Sequence, residues 1–443
     1  MQNKTLSRYW LLLGTLALAV AGLYSLVLAG GRSPKLGDSS LLNRLFHEAL
    51  VVHVDLSVLV WFLAIACLLW SRATAHWKAP VPYIEQAALL CFALGTLAIT
   101  LSPLDSSGVA MMSNYIPVIY SPVFFLGLMF IFCGTALMLA KMLCAPRATG
   151  ENELLHGLAA RSAAWITLIS LICFLWSVPL MPAVITGEQY YDMVFWAGGH
   201  VLQFTHTQVL MIVWLSMLAA LLPGFSLPKP LLKGLFLFAM LAASLSPLAF
   251  VLYDITSSEF RDFFTHKMIA LGGLAPAVLL LCIAPALWRA RTARSGPHRA
   301  CFYAMVASIV LFLYGGFLGL LIQGQNVVIP AHYHGSIVGI TLAFMGYAYL
   351  LLPQLGYRPM AHTRMASLQP VIYGIGQVMH VSGFAWSGGY GALRKTPGGS
   401  YEGSAQLAMG LMGGGAGLAA IGGLMFVIVM YRAVCRPVKI TTL

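Results

Sequence analysis

The stretch Pro330-Ala331-His332-Tyr333-His334-Gly335 heads a long apolar run near 331–354. Two histidines flank one residue just inside a predicted membrane helix. At about 100° per helical residue, positions two apart point roughly 200° apart. His332 and His334 therefore face opposite sides of one helix and can serve two different cofactors. Histidine is costly in lipid, so such a pair points to function. The plain alternative is two histidines that hydrogen-bond between helices.

The rest of the chain sets this helix in a membrane. The 443 residues are 60% hydrophobic and 9% charged, with a mean hydropathy of +0.85. That composition excludes the soluble globular classes and fits a polytopic helical membrane protein. Roughly twelve apolar segments are long enough to span a bilayer. They fall near 9–30, 50–71, 82–102, 117–142, 161–183, 190–222, 230–253, 263–288, 300–323, 331–354, 367–387 and 405–431. The expected fold class is thus an all-α integral membrane bundle. The first segment follows Lys4 and Arg8 as a signal peptide would. Its apolar stretch is too long and no A-x-A site follows it, so it reads as a retained helix. The whole of 1–443 reads as a single polytopic membrane domain.

The net charge of +12 does not imply nucleic acid, because the Lys and Arg residues lie in short segments between apolar runs and form no basic arm. With the N-terminus cytoplasmic, only Arg32, Lys35, Arg44, Arg261, Lys267, Arg394 and Lys395 of the 25 Lys and Arg residues fall on the outer side. An even number of spans with both termini cytoplasmic satisfies the positive-inside rule. The eight cysteines sit mostly within apolar segments and form no C-x-x-C or C-x-x-C-H. This argues against covalent haem attachment, a zinc ribbon or a disulfide framework. The glycines of the last segment, Gly413, Gly414, Gly415, Gly417, Gly422 and Gly423, read as close helix packing.

Topology converts sequence position into depth. His53, His332 and His334 lie near the outer ends of their helices, and His200 follows Trp196-Ala197-Gly198-Gly199. His266 enters helix eight from outside, and His380 lies within about two turns of the outer end of helix eleven. Six histidines on five helices thus converge on the outer half of the membrane. Arg394 and Lys395 follow helix eleven on that side, against the charge trend, and suit anionic groups such as haem propionates. Haem is the cofactor this set suggests. His53 and His334 complete a six-coordinate iron, and His332 holds a second haem from one side only. Trp61, Phe62, Tyr333, Phe384 and Trp386 are placed to pack on porphyrin planes, although such aromatics are more often plain core.

At this point the chain resembles subunit I of the haem–copper oxidase superfamily, the terminal oxidases and their nitric oxide reductase relatives. The resemblance runs over essentially the whole length. H-Y-H-G-S-I-V-G, from His332 on, looks like the family's H-x-H helix, which implies His332 for the high-spin haem and His334 for the low-spin haem. His53, in H-V-D-L-S-V-L-V-W-F, matches the second low-spin ligand. His200, after W-x-G-G, matches the first copper ligand, and Arg394 with Lys395 matches the propionate-binding pair.

Departures accompany the matches. The family's adjacent histidines on helix seven align near Ala249-Phe250, and no histidine lies on that helix. His266 is the remaining candidate for a distal copper beside His200, which makes the copper site doubtful. His206 lies six residues from His200, about 240° around the helix, and does not share its coordination. The helix-six tyrosine is replaced by Phe204, and the reductase glutamate is absent. Helix eight lacks the membrane-embedded lysine that many relatives use for proton uptake. Asp55 and Glu85 are among the few acids near the spans, too few for a proton relay.

Two readings follow. In the first, a respiratory-chain oxidoreductase of the bacterial inner membrane passes electrons from a donor subunit or cytochrome through a low-spin haem. They reach a high-spin haem that reduces oxygen or nitric oxide. In the second, a haem-binding subunit relays electrons or assists assembly of a respiratory complex without gas chemistry. A transporter would show broken helices or inverted repeats, and no such signal is found. The partners implied are respiratory subunits and lipid, not nucleic acid.

Overall fold

A computed structural model describes residues 2–31, 40–77, 81–146, 151–322, 327–388 and 403–435. Its backbone is almost wholly helical, because a segment in hydrocarbon must satisfy its own N–H and C=O groups. The first helices are α1 (Gln2–Gly31), α2 (Ser40–Val54, continued by Asp55–Val60 and Trp61–Ala73) and α3 (Val81–Leu101). After a hairpin come α4 (Pro122–Cys144), α5 (Glu151–Leu180), α6 (Gly187–Leu221) and α7 (Lys229–Ser244). Next is α8, made of Ser258–Lys267, Met268–Gly272 and Leu274–Arg289. The last are α9 (Arg299–Gly319), α10 (Val328–Gln354), α11 (Arg364–Gly388) and α12 (Gly403–Val434).

Among the described residues, eleven helices are long and apolar enough to cross a membrane. Each coincides with an expected segment. The twelfth expected segment is α11, 25 residues long, whose apolar run is diluted by Gln369, Gln377, His380, Ser382 and Ser387. The all-α membrane bundle expected from hydropathy is what the chain forms.

The chain forms two compact units. The first comprises Met1–Ala21, His47–Ile212 and Ser226–Ile283; the second comprises Gly22–Phe46, Val213–Phe225 and Ala284–Leu443.

In the first unit, α3 and α4 approach until a Cβ on Gly95 would lie 2.8 Å from the Gly127 carbonyl oxygen, and one on Gly134 would lie 2.7 Å from the Phe92 ring. Trp10 meets Phe92 edge-on at 5.1 Å. Its indole N–H donates to Glu85 Oε1 at 3.1 Å, and Lys141 donates to Glu85 Oε2. Lys141 and Glu85 are both buried, so this lysine of the sequence charge count is an internal partner rather than a loop cation.

The link between α3 and α4 is also built. Val109–Met111 (β1) pairs antiparallel with Val118–Tyr120 (β2), Val109 opposite Tyr120. The Asp105 carboxylate accepts hydrogen bonds from Ser107 N, Ser107 Oγ and Ser121 Oγ, which hold its pKa below the ordinary value. Tyr115 sits at the tip of this hairpin.

Two helices carry wide, π-type turns: Asp55–Val60 within α2 and Met268–Gly272 within α8. Such turns recur at functional sites. Helix α7 stops at Ser244, before Pro247, which has no N–H to continue the ladder, and one further turn follows over Leu248–Leu252.

In the second unit, α9 and α10 touch backbone to backbone. A Cβ on Gly315 would strike Ser336 N, and one on Gly339 would lie 2.7 Å from Phe312 N. Helices α11 and α12 do the same through Gly376, Gly383, Gly415 and Gly422. Gly413 and Gly417 face open space, so the expected packing role holds for only part of that glycine set.

Candidate functional site

The four best-matched histidines share one local device. Nδ1 of His53 donates to the Ala21 carbonyl at 2.9 Å, and Nδ1 of His332 donates to the Gly315 carbonyl at 2.8 Å. Nδ1 of His334 donates to its own-helix Pro330 carbonyl at 3.0 Å, and Nδ1 of His200 donates to the Trp196 carbonyl at 2.9 Å. A carbonyl only accepts, so each ring is the tautomer with its lone pair on Nε2. That is the arrangement a metal-ligating histidine needs.

The H-x-H helix divides its two rings as helical geometry requires. His332 turns to α9, where Gly319 lies against it: a Cβ on Gly319 would sit 2.6 Å from the imidazole Nδ1. His334 turns to α11, its ring 5.3 Å from that of His380 and 5.5 Å from Phe384. His380 in turn donates Nδ1 to the Met412 carbonyl at 2.9 Å. Leu318, Val327, Ala331, Val381, Phe384 and Met412 form an apolar cluster at this end of the second unit. His53 belongs to the first unit, two residues before Asp55, which is buried and has no hydrogen-bond partner for either carboxylate oxygen among the described residues.

The expected aromatics separate. Phe384 lies beside His334 and His380, whereas Trp61 is core, pressed against Gly14, and Trp386 is exposed. Phe62 meets His206 edge-on at 4.8 Å, so His206 and His200 have different neighbours, as six residues of separation require. Arg394 and Lys395 lie outside the described residues.

The proposed copper ligands are not assembled for a metal. His200 is buried, and its Nε2 accepts a hydrogen bond from the Tyr115 hydroxyl at 2.9 Å, so both ring nitrogens are taken. The pairing is written into the Gly-Gly of the preceding turn: a Cβ on Gly199 would strike the Tyr115 ring, and one on Gly198 would strike Phe174. Burial, then the charge of Asp192, push the Tyr115 phenol well above its ordinary pKa, which keeps its proton for His200. Where the resemblance calls for two more histidines, Ala249 is buried and Phe250 stacks on Trp176 at 5.1 Å and 10°. His266 is exposed. Among the described residues, no three His, Cys, Asp or Glu side chains gather as a metal requires. The donor set fits axial ligation of haem and does not fit copper.

Two functional-looking residues escaped the sequence reading. Tyr115 lies on a short hairpin far from His200 in sequence, and only Gly199 hinted that a ring lies there. Lys267 was counted with the outer loop charges, yet it is buried within the span, 7% exposed, and donates to Ser246 Oγ. Helix α8 therefore carries a buried lysine at its head, where the charge pattern had suggested an outer loop residue. The Lys267 ammonium lies over the rings of Phe264, Phe204 and Phe263 at 4.9, 5.5 and 5.7 Å.

No family model matches the chain. It is 32% identical to the uncharacterized protein RP382 of Rickettsia prowazekii over 96% of this chain and 95% of that one. It is 29% identical to an uncharacterized protein of Aquifex aeolicus, over 79% of this chain and 85% of that one. Its structure superposes with a TM-score of 0.74 on a chain of a heme–copper terminal oxidase dimer solved by cryo-electron microscopy. The match has 15% identity and covers all of this chain and 86% of the other. At that identity the likeness establishes a shared fold.

Proposed function

We propose, for a chain that belongs to one family with RP382 of Rickettsia prowazekii and has the fold of a heme–copper terminal oxidase chain, that it is a haem-bearing membrane oxidoreductase of the respiratory chain. The observation that carries this reading is the division of His332 and His334 between α9 and α11, each Nδ1 committed to a backbone carbonyl. In this reading His53 and His334 would hold a low-spin haem, His332 would hold a high-spin haem, and Arg394 and Lys395 would serve the propionates. Haem iron held there would supply one-electron chemistry and the reduction of oxygen or nitric oxide. The chain's own contribution is orientation. The Ala21, Gly315 and Pro330 carbonyls fix each ring's tautomer and plane, and raise the basicity of the ligating nitrogen. Gly319 leaves the room in which the His332 ring lies. Electrons come from a donor subunit or cytochrome at the bacterial inner membrane, within a respiratory complex.

Copper has no part in this reading. The mismatch of the side chains at the expected copper-ligand positions also favours a second reading, a haem-binding relay or assembly subunit with no gas chemistry. Phe250, at one of the positions where the resemblance expects histidine, stacks on Trp176, and Tyr115 is bonded to His200.

The deciding experiment is haem and copper per purified chain, with reduced-minus-oxidised and carbon monoxide difference spectra. Two haems, one binding carbon monoxide, support gas reduction; two haems without that response support the relay. A haem-free protein overturns both. His53→Ala and His334→Ala should each remove the low-spin spectrum and spare the high-spin one, and His332→Ala should do the reverse.

A further inference from the structure

We propose that Lys267 is an anion-binding residue, holding a small monovalent anion at the head of α8. The proposal does not depend on the haem reading, because every residue it uses lies in the first unit and none is an axial ligand.

An ammonium group brings three N–H donors and one charge into this span, and the structure answers only part of that demand. Ser246 Oγ donates its own proton to the Ala243 carbonyl at 2.6 Å, so its lone pair is what receives Lys267. That uses one donor. The faces of Phe204, Phe263 and Phe264 attract the cation but offer no lone pair, and the buried Cys173 thiol, also nearby, is only a weak acceptor. Among the described residues, no carboxylate forms an ion pair with Lys267. Burial without a counter-charge disfavours the ammonium form, and a bound anion is what would hold the charge in place.

The surroundings define the ligand. A single ammonium balances a single charge, and the three phenyl rings around it suit a small, weakly hydrated anion. Lys267 also immediately precedes the wide turn Met268–Gly272, where the ladder of α8 is loosened, and its neighbour His266 is exposed. Phe264 touches both the Lys267 ammonium and, at 5.8 Å, the His200 ring. The amine of Lys267 therefore lies one ring away from the histidine that resemblance had assigned to copper.

The test uses the purified full chain in detergent, with chloride as the probe and gluconate as the inert counter-anion at constant ionic strength. The width of the chloride-35 resonance and the thermal midpoint are read together, with haem content and the Soret band recorded on the same samples. Wild type should broaden the resonance saturably, bromide should displace that broadening, and chloride should raise the midpoint over gluconate. Lys267→Met should lose at least nine-tenths of the broadening and all of the midpoint shift. Lys267→Arg should keep part of both. Should Lys267→Met fail to fold, Ser246→Ala provides the same comparison, with weakened broadening expected. Equal broadening in wild type and Lys267→Met overturns the proposal, as does a chloride-insensitive wild type. A halide response that tracks the Soret band and survives in Lys267→Met belongs to haem iron and overturns it as well. A haem-free preparation that still passes the chloride test sinks the oxidoreductase reading and leaves the anion site standing.

Discussion

The Tyr115 hydroxyl donates to Nε2 of His200 at 2.9 Å, and this single contact turns an apparent metal ligand into half of a hydrogen-bonded pair. Tyr115→Phe should leave a buried imidazole nitrogen unsatisfied and cost about 1–3 kcal/mol, read as a lower thermal midpoint. The pH dependence has a definite sign. The folded phenol titrates above its ordinary 10.0, so the unfolded chain gives up this proton first as pH rises. Its contribution is complete below pH 10 and declines above it. Wild type should therefore lose stability more steeply than Tyr115→Phe in the alkaline limb, and parallel limbs would refute the pairing.

Gly319 and His332 give a second prediction. A Cβ at Gly319 would lie 2.6 Å from Nδ1 of His332, which donates to Gly315 one turn earlier in the same helix. Gly319→Ala must push the ring off that carbonyl. The expected outcome is an altered or lost high-spin spectrum with the low-spin spectrum intact, at a stability cost of about 1–3 kcal/mol from overpacking. An unchanged high-spin spectrum would remove His332 from that role.

The buried Lys141–Glu85 pair predicts a non-additive mutant cycle. Lys141→Met alone strands a buried carboxylate that also holds the Trp10 indole, and should cost about 3–5 kcal/mol. Lys141→Met with Glu85→Leu should recover most of that loss, because two apolar side chains leave no uncompensated charge. Additive losses in a denaturation series would contradict the pair.

His266 is exposed and stands apart from any cluster of metal-ligating side chains among the described residues. His266→Ala should leave metal content, haem spectra and stability unchanged, within about 0.5 kcal/mol. A fall in bound copper would restore it as a ligand.

Much of this arrangement is legible in the chain because hydrocarbon imposes strong rules. Helix number and placement follow from hydropathy, and α11 was placed correctly although its glutamines and serines dilute its apolar run. The divergence of His332 and His334 follows from helical geometry alone. What escaped detection depends on contacts between distant segments. Tyr115 reaches His200 from a hairpin 85 residues earlier, and no periodicity links the two. Lys267 looks like a loop charge because a lysine at the edge of an apolar run usually is one. Only the converging rings of Phe204, Phe263 and Phe264 show that it is inside. The glycines were legible as a class, but Gly415 and Gly422 pack while Gly413 and Gly417 do not, because only some of them face a neighbouring helix.

The Lys141–Glu85 contact also bears on how the chain is made. Each of these residues alone makes its helix harder to partition from the translocon into lipid, by up to about 2.5–3.5 kcal/mol for a charged side chain at the helix centre and less nearer the ends. Joined, they neutralise one another, and the hairpin anchored by Asp105 keeps α3 and α4 close in the chain. The two helices are therefore built to leave the translocon as one hairpin, with the partner of each charge already beside it.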